Sequence, residues 1–254
     1  MEENKIKQLI QEGRNFMKHP DWDESYQSDQ ELKKTQPPLT KEKVSDEIYS
    51  LSKDFKKLNI TKDFTSILLE RESHRIFTSQ KMNALELSYL LYMTQGVKSI
   101  RGNNYATMRT VPCGGARHEF ETYLVVKNVE GLKPGKYHYL PLTHELEFLG
   151  NVENMETFID ASVEQQTWAV KANVIFYWSI VPYRCEWRYG IYAHRPALMD
   201  IGHVGQNLYL ACTALNLGTC CLASFDGDVC AKEFGLDNEE EFIVYVSPVG
   251  TIHE

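Results

Sequence analysis

The chain has 254 residues, of which 43% are hydrophobic and 24% charged, the composition of an ordinary globular protein that can bury a core. Its formal net charge of −8 argues against a nucleic-acid partner, because phosphate binding needs a basic face. No apolar run approaches the roughly 18 residues of a membrane span, and the polar N-terminus lacks the features of a signal peptide, so a cytoplasmic location is expected.

Residues 1–42 are rich in charged and polar side chains and end close to a Pro-Pro pair, which predicts a polar arm outside the main domain. Residues 43–254 are expected to form a single domain. Within that domain, the pattern of residues 43–58 predicts a short amphipathic helix.

The segments that follow alternate between helical and strand patterns. Asn83 and Glu86 match a capping box, which predicts the start of a helix that Gly96 ends. Strands are predicted at residues 122–129, 135–141, 144–150, 172–181 and 242–249, the second and third as a hairpin and the almost wholly apolar fourth as a central strand. Apolar residues at helical spacing predict helices at 196–215 and 229–234. Strands interleaved with helices predict an α+β fold.

The long helix predicted at 196–215 contains unusual residues. Two glycines within it, Gly202 and Gly205, predict close packing against another backbone. For its polar residues, ligand contact and a buried polar cluster both remain open; these are His203, Gln206 and Asn207. For Arg117 and His118, contact with substrate or a partner subunit and simple surface exposure likewise remain open.

The six cysteines show neither a disulfide pattern nor a metal-binding pattern. None lies in a C-x-x-C pair, and Cys220 and Cys221 are adjacent, which is poor geometry for an ordinary disulfide. Reduced thiols and no metal site are therefore predicted.

Arg71, Ser73 and Arg75 alternate along the sequence just before Phe77. In an extended segment such residues project to the same side, so all three could converge on one anion. The planar fork of arginine matches phosphate oxygens bidentately. The pattern predicts an anion site, although five polar residues taken alone are also typical of a solvated turn.

Several segments, taken in order, resemble one known family. They are RESHR at 71–75, VPCGGAR at 111–117, GLKPGKYHY at 131–139, RYG at 188–190, DIGHVGQNL at 200–208, LGTCCLASFD at 217–226, EFGL at 233–236 and PVG at 248–250. Together they resemble the FMN-dependent nitroreductase superfamily over roughly residues 63–250. The hairpin and long-helix motifs are similar to its SagB/ThcOx-type branch, members of which oxidise azolines to azoles in modified peptides.

The resemblance implies a nitroreductase-like α+β fold, with a central, mostly antiparallel sheet flanked by helices. It also implies a homodimer that binds FMN non-covalently at the subunit interface. Arg71 and Ser73 match residues that hold the FMN phosphate, and Arg75 matches a cationic residue near the N1/O2 edge of the flavin. A fixed guanidinium there favours the reduced flavin, which carries negative charge at N1.

Two further segments are implied to contact the flavin. Pro112, Cys113 and Gly114 match a segment that packs on the isoalloxazine from the other subunit. The loop on the opposite side of the ring is matched by Cys221, Leu222, Ala223 and Ser224. In that loop, the backbone amides near Ala223 and Ser224 are implied to face N5 and O4.

Arg188 and Tyr189 occupy the position of a Lys-Tyr pair that is assigned to proton abstraction in azoline-oxidising members. Arginine stays protonated and is a poor general base, which argues against azole formation. Tyr189 remains a candidate acid, a substrate-positioning residue or a packed aromatic. Residues 250–254 hold no basic pair of the kind that binds phosphate in many nitroreductases, so the Arg71-Ser73-Arg75 stretch is expected to be the main source of positive charge for the cofactor.

The function implied is ping-pong reduction of a nitroaromatic, quinone or enone, with NAD(P)H as the donor and hydride transfer through flavin N5. No G-x-G-x-x-G motif follows a strand, so no separate Rossmann site is expected. Two alternatives stay open. One is a SagB-like flavin dehydrogenase or oxidase acting on a peptide or natural product, and the other is a non-catalytic scaffold subunit of a modification complex.

Overall fold

A computed structural model describes residues 3–18, 21 and 23–253 of the chain. The strands are β1 (Ile48–Ser50), β2 (Val97–Arg101), β3 (Ala106–Arg109), β4 (Phe120–Val126), β5 (Gly135–Leu140), β6 (Glu145–Gly150), β7 (Val174–Ile180), β8 (Leu217–Thr219) and β9 (Phe242–Thr251). The helices are α1 (Glu3–Met17), α2 (Phe64–Glu70), α3 (Ala84–Gln95), α4 (Met155–Ser162), α5 (Tyr183–Tyr189), α6 (His194–Ala214) and α7 (Gly227–Phe234). None of the helices in these ranges is long and apolar enough to cross a membrane.

The described strands form a central sheet in the order β1-β6-β5-β4-β7-β9-β8, and β2 and β3 form a separate hairpin. Every named pair in the central sheet is antiparallel. The most apolar strand, β7, lies between β4 and β9, and all seven of its residues are buried. The predicted α+β fold, with an antiparallel sheet flanked by helices, is confirmed.

Helices cover both faces of the sheet. Trp178 of β7 belongs to a cluster that includes the buried leucines of α3 and the apolar stripe of α6. Tyr177, the next residue to project from the opposite face, belongs to a second cluster with α4 and α7. Adjacent residues of a strand point to opposite faces, so the strand needs apolar residues throughout when both faces are covered.

The capping box predicted for α3 is confirmed. The side chain of Asn83 accepts a hydrogen bond from the Leu85 amide at 2.7 Å, and the Glu86 carboxylate accepts one from the Asn83 amide at 2.8 Å. These two bonds satisfy amides that would otherwise lack partners at the first turn.

The helix predicted at residues 43–58 is wrong. This segment contains the edge strand β1, which pairs with β6, and a short 3₁₀ turn at Phe55–Leu58. The amides of Val44 and Ser45 donate to the Glu147 carboxylate at 2.7 and 2.9 Å. Tertiary pairing with a buried acid and a sheet edge therefore overrides the local helical pattern.

A buried charged network lies beneath residues 41–45. The imidazole of His138 contacts Glu147 at 2.7 Å and Glu121 at 3.0 Å, and Arg184 contacts Glu121 at 2.5 Å. Burial opposes the charge on His138, but the two carboxylates raise its pKa to about 9. The Lys41 amide closes the network by donating to Glu121 at 2.7 Å.

The part of the arm that follows α1 packs on the domain. The Gln30 amide donates to the Trp187 carbonyl at 2.7 Å, and the Trp187 indole donates to the Lys34 carbonyl at 3.0 Å. Gln30 also donates through its side chain to the Tyr105 hydroxyl at the tip of the β2–β3 hairpin, at 2.7 Å. The arm thus braces α5 and the hairpin together, whereas no residue described in α1 is buried.

Candidate functional site

The extended segment that follows α2 is held beside the sheet by a backbone bond. Arg71 is the C-cap residue of α2, and the His74 amide donates to the Thr219 carbonyl of β8 at 2.9 Å. This bond fixes the position of the odd-numbered residues on either side of His74. The segment that carries Arg71, Ser73 and Arg75 is therefore held next to the edge strand β8 of the sheet.

Arg71 and Ser73 meet at a third residue, Tyr209 of α6. The Ser73 and Tyr209 hydroxyls are 3.1 Å apart, and the Arg71 guanidinium lies 5.4 Å from the centre of the Tyr209 ring. The Tyr209 hydroxyl also accepts the Cys221 amide at 3.0 Å. One tyrosine thus joins the R-x-S-x-R segment to the loop after β8.

No carboxylate in the described part of the chain forms an ion pair with Arg71 or Arg75. Arg71 is half-buried and Arg75 is exposed, so in this acidic protein both guanidiniums keep a positive charge that a ligand can approach. Arg75 lies apart from the other two residues, 5.9 Å from the ring centre of Trp168. The segment therefore has two ends, one at Tyr209 and one at Trp168.

The loop at 221–224 presents backbone rather than side chains. Leu222 is bonded in both directions to Val246, at 2.7 and 3.2 Å, and its side chain is buried. Ala223 and Ser224 are exposed, and their amides donate to no acceptor within the ranges that the structure covers. The Ser224 hydroxyl bonds the Glu164 carboxylate. Two free amides side by side form a place where an acceptor atom of a ligand can bind.

The segment at 112–115 is anchored to the N-terminal half of α6. The Gly114 amide donates to the Asp200 carboxylate at 2.7 Å, and Pro112 is exposed. Gly115 has a φ of +58°, and a Cβ there would lie 2.5 Å from Arg188 Nε and 2.7 Å from the Tyr189 hydroxyl. Only glycine permits this approach, so the predicted pair Arg188 and Tyr189 packs directly on the predicted ring-contact segment.

Cys113 lies in a small acidic cluster. Its thiol donates to the Glu119 carboxylate at 3.1 Å, and its sulfur lies with oxygens of Glu119 and Asp200 in a group whose ligand atoms are all within 4.8 Å of one another. Burial raises the pKa of both Cys113 and Glu119. The cluster has the donor atoms of a metal site, but raised pKa values favour protonated groups, and a protonated thiol is neither a metal ligand nor a nucleophile.

The two parts of the site lie on opposite faces of one helix. Asp200, which holds the 112–115 segment, and Tyr209, which holds Arg71 and Ser73, both belong to α6 and are nine residues apart. Nine residues of α-helix advance about 13 Å and complete about two and a half turns, so the two side chains point in opposite directions. Within one chain, the 112–115 segment and the Arg71–Ser73 group therefore lie on different sides of α6.

Three residues of the site were not predicted from the sequence. Asp200 lies in a motif that signalled the family but gave no role for it, and Tyr209 and Trp168 carried no signal beyond their aromatic character. Of the polar residues left open on α6, Asn207 donates to the Met93 carbonyl at 2.8 Å, which favours the buried polar cluster for it. His203 is exposed, 3.6 Å from Asp200.

The chain belongs to the nitroreductase family, because the model of that family matches residues 68–251. A protein of Methanocaldococcus jannaschii, provisionally named a nitroreductase, is 32% identical over 159 residues, which cover 63% of this chain and 77% of that protein. The predicted superfamily is thus confirmed.

Two further similarities refine the comparison. The microcin B17-processing protein of Escherichia coli is 25% identical over 150 residues, 58% of this chain and 55% of that protein, so the chain matches about half of its length. This similarity agrees with the predicted SagB/ThcOx-type branch. A nitroreductase-family structure from Exiguobacterium sibiricum in complex with FMN has a TM-score of 0.54 at 12% identity, covering 76% of this chain and 90% of that one, and it shares the fold.

Proposed function

We propose that this protein is an FMN-dependent oxidoreductase that takes hydride from NAD(P)H and passes electrons to a nitroaromatic, quinone or enone acceptor. The observation that carries the proposal is the group formed by Arg71, Ser73 and Tyr209, where an unpaired guanidinium and a hydroxyl converge. A phosphate monoester fits this donor set, because arginine and hydroxyl groups both donate to its oxygens. Membership of the nitroreductase family supports the assignment.

The remaining residues fit the flavin end of FMN. Bound FMN supplies two-electron chemistry at N5. Arg75 would hold positive charge near its N1/O2 edge, and the free amides of Ala223 and Ser224 would donate to its polar edge. Within the pair next to Gly115, the Tyr189 hydroxyl can carry a proton to substrate, whereas Arg188 stays protonated.

We propose that the working unit is a homodimer. Asp200 and Tyr209 point to opposite faces of α6, so the 112–115 segment of one protomer would complete the site formed by Arg71 and Ser73 of its partner. The exposed side of α6 offers apolar contact area at Leu198 and Met199. A cytoplasmic location stays a prediction from the sequence.

A second candidate is a SagB-like dehydrogenase acting on a peptide or natural product. The similarity to the microcin B17-processing protein favours it. The replacement of the expected lysine by Arg188 counts against proton abstraction at that position. A scaffold subunit without catalysis is the remaining alternative.

Purified protein separates these candidates. We expect a yellow dimer by sedimentation, with a flavin absorbance band that NADH or NADPH bleaches without oxygen and that a nitroaromatic or quinone restores. A yellow protein that no nicotinamide donor reduces would favour the substrate-specific dehydrogenase. A colourless protein that cannot be reconstituted with FMN would refute both enzymatic candidates.

A further inference from the structure

Two arginines next to the 112–115 segment, Arg117 and Arg188, have no acidic partner among the described residues. Arg117 donates to the carbonyls of Gly115 and Tyr105 at 3.0 and 2.9 Å, and Arg188 donates to the Tyr105 hydroxyl at 2.7 Å. Within the residues that the structure covers, no carboxylate lies within ion-pairing distance of either guanidinium. The nearby carboxylate of Asp200 is directed at the Gly114 amide and His203.

The two guanidiniums interact unfavourably with each other. Arg117 is 3% exposed and lies between the rings of Tyr105 and Trp187, at 4.8 and 5.4 Å from their centres. Burial lowers the pKa of Arg117, and the charge of Arg188 lowers it further. Burial opposes the charge of Arg188 as well, but Tyr189 and Tyr105 raise its pKa, so Arg188 stays charged and a bound anion would offset its repulsion of Arg117.

Arg188 is the member of the pair with unused hydrogen-bonding capacity. Its Nη1 is held by Tyr105 and, at 3.3 Å, by the Gln30 side chain of the arm, which fixes the direction of the guanidinium. Its Nε is buried without a hydrogen-bond partner and lies against Gly115, where a Cβ would be only 2.5 Å away. The half-buried side chain is therefore fixed in place beside the 112–115 segment that is proposed to pack on the flavin.

We propose that Arg188, with Arg117 behind it, binds an anionic group of a substrate beside Gly114 and Gly115. The inference rests on the proposed function, since it places this anion next to the flavin ring. Two sources share the chemistry, a carboxylate on the electron acceptor and a phosphate of the nicotinamide nucleotide. The arm takes part through Gln30, which holds Arg188 in position.

The test compares anionic and neutral substrates in the two half-reactions of the FMN-loaded protein. Protein reduced with dithionite is reoxidised with 4-nitrobenzoate or with neutral 4-nitrobenzamide. Oxidised protein is reduced with NADPH, NADH or the uncharged donor N-benzyl-1,4-dihydronicotinamide. The variants are Arg188→Gln, Arg188→Lys and the matched control Arg101→Gln, which removes an exposed arginine of the β2–β3 hairpin.

We expect Arg188→Gln to lower the second-order rate constant by about 10-fold or more for the anionic substrates of one half-reaction, because a charge-assisted hydrogen bond is lost. The rate constant for the neutral substrate of that half-reaction should change little. Arg188→Lys should keep part of the preference, and Arg101→Gln all of it. A loss in the oxidative half-reaction identifies a carboxylate acceptor, and a loss in the reductive half-reaction identifies the nucleotide phosphate. Equal changes for anionic and neutral substrates in both halves would overturn the proposal.

A binding measurement keeps this inference separate from the proposed function. Calorimetric titration of the purified protein with 4-nitrobenzoate and with ADP needs no turnover and no flavin reduction. Weaker binding of either ligand by Arg188→Gln than by Arg101→Gln supports the anion site even when no nicotinamide donor reduces the flavin. Identical binding by the two variants refutes the site even when the protein is an active reductase.

Discussion

Replacing Arg71 with alanine tests the proposed phosphate end of the site. The guanidinium lies 5.4 Å from the ring centre of Tyr209 and forms no ion pair with the described carboxylates, so the substitution removes a positive charge and, within the protein, little more than the contact with Tyr209. The backbone bond from the Arg71 amide to the Ile67 carbonyl, at 3.1 Å, is kept in alanine. We therefore expect the fold to remain intact.

The size of the effect follows from the interactions lost. A hydrogen bond between charged groups contributes about 1.5–3 kcal/mol, so losing the guanidinium should weaken FMN binding by about 2–3 kcal/mol, or roughly 30- to 150-fold in Kd. The apoprotein loses only the contact of Arg71 with Tyr209, worth about 0.5–1 kcal/mol at an exposed site. Arg71→Lys should lie between, because it keeps the charge and loses the planar fork.

The assay is a fluorescence titration of each apoprotein with FMN and with riboflavin, which lacks the phosphate. Arg71→Ala should weaken FMN binding and leave riboflavin binding unchanged, and Arg101→Ala should change neither. Rising salt should reduce the difference between wild type and variant for FMN, since a charge interaction is screened. An equal loss for both flavins, or no loss for FMN, would refute the assignment of Arg71 to the phosphate.

Three further changes test other parts of the structure. Tyr209→Phe removes the hydroxyl that accepts the Cys221 amide at 3.0 Å; we expect FMN binding to weaken by about 1–2 kcal/mol in the same titration, and unchanged affinity contradicts the role. Gly115 has a φ of +58° and lies against Arg188, so Gly115→Ala should lower the free energy of unfolding by about 1–3 kcal/mol. At Gly202 a Cβ would meet no described atom within 4 Å, so Gly202→Ala should be neutral or slightly stabilising. Equal free energies of unfolding for the two variants in chemical denaturation would refute the packing at Gly115. Because the folded pKa of His138, about 9, exceeds its ordinary value of 6.5, its stabilising contribution is complete below pH 6.5 and is lost as pH rises toward 9. The difference in unfolding free energy between wild type and His138→Gln should therefore shrink by about 1 kcal/mol between pH 7 and 8, and a constant difference would show that His138 is not charged in the fold.

The sequence was most informative where local patterns and tertiary packing agree. The apolar run at 172–181 predicted a central strand because a strand covered on both faces needs apolar residues throughout, and β7 has this environment. The capping box at Asn83 predicted the start of α3 because its bonds are local. The helix prediction for residues 43–58 was wrong because the partners of this segment, Glu147 and β6, lie about a hundred residues away and leave no local signal.

The same distinction applies to the site. Arg71 and Ser73 could be identified because two residues of one extended segment share a face, a property that spacing alone determines. Tyr209 could not, because its role depends on the packing of α6 against the segment after α2 and the loop after β8. The unpaired state of Arg188 also depends on the fold, because none of the described carboxylates lies within ion-pairing distance of it.

The arginines that form no ion pair within the described residues concentrate positive charge at the proposed site. The chain carries a net charge of −8, yet within the described ranges the one arginine in an ion pair is Arg184, deep in the network beneath the arm. Arg71 lies beside Tyr209 in the C-terminal half of α6, and Arg75 lies near Trp168, whereas Arg117 and Arg188 lie beside the 112–115 segment that Asp200 holds at the N-terminal half of α6. A surplus of carboxylates would neutralise these groups if the fold allowed contact, and their isolation keeps positive charge available at both ends. In a dimer that joins the two ends around one flavin, the first pair would face the cofactor and the second would face its substrate.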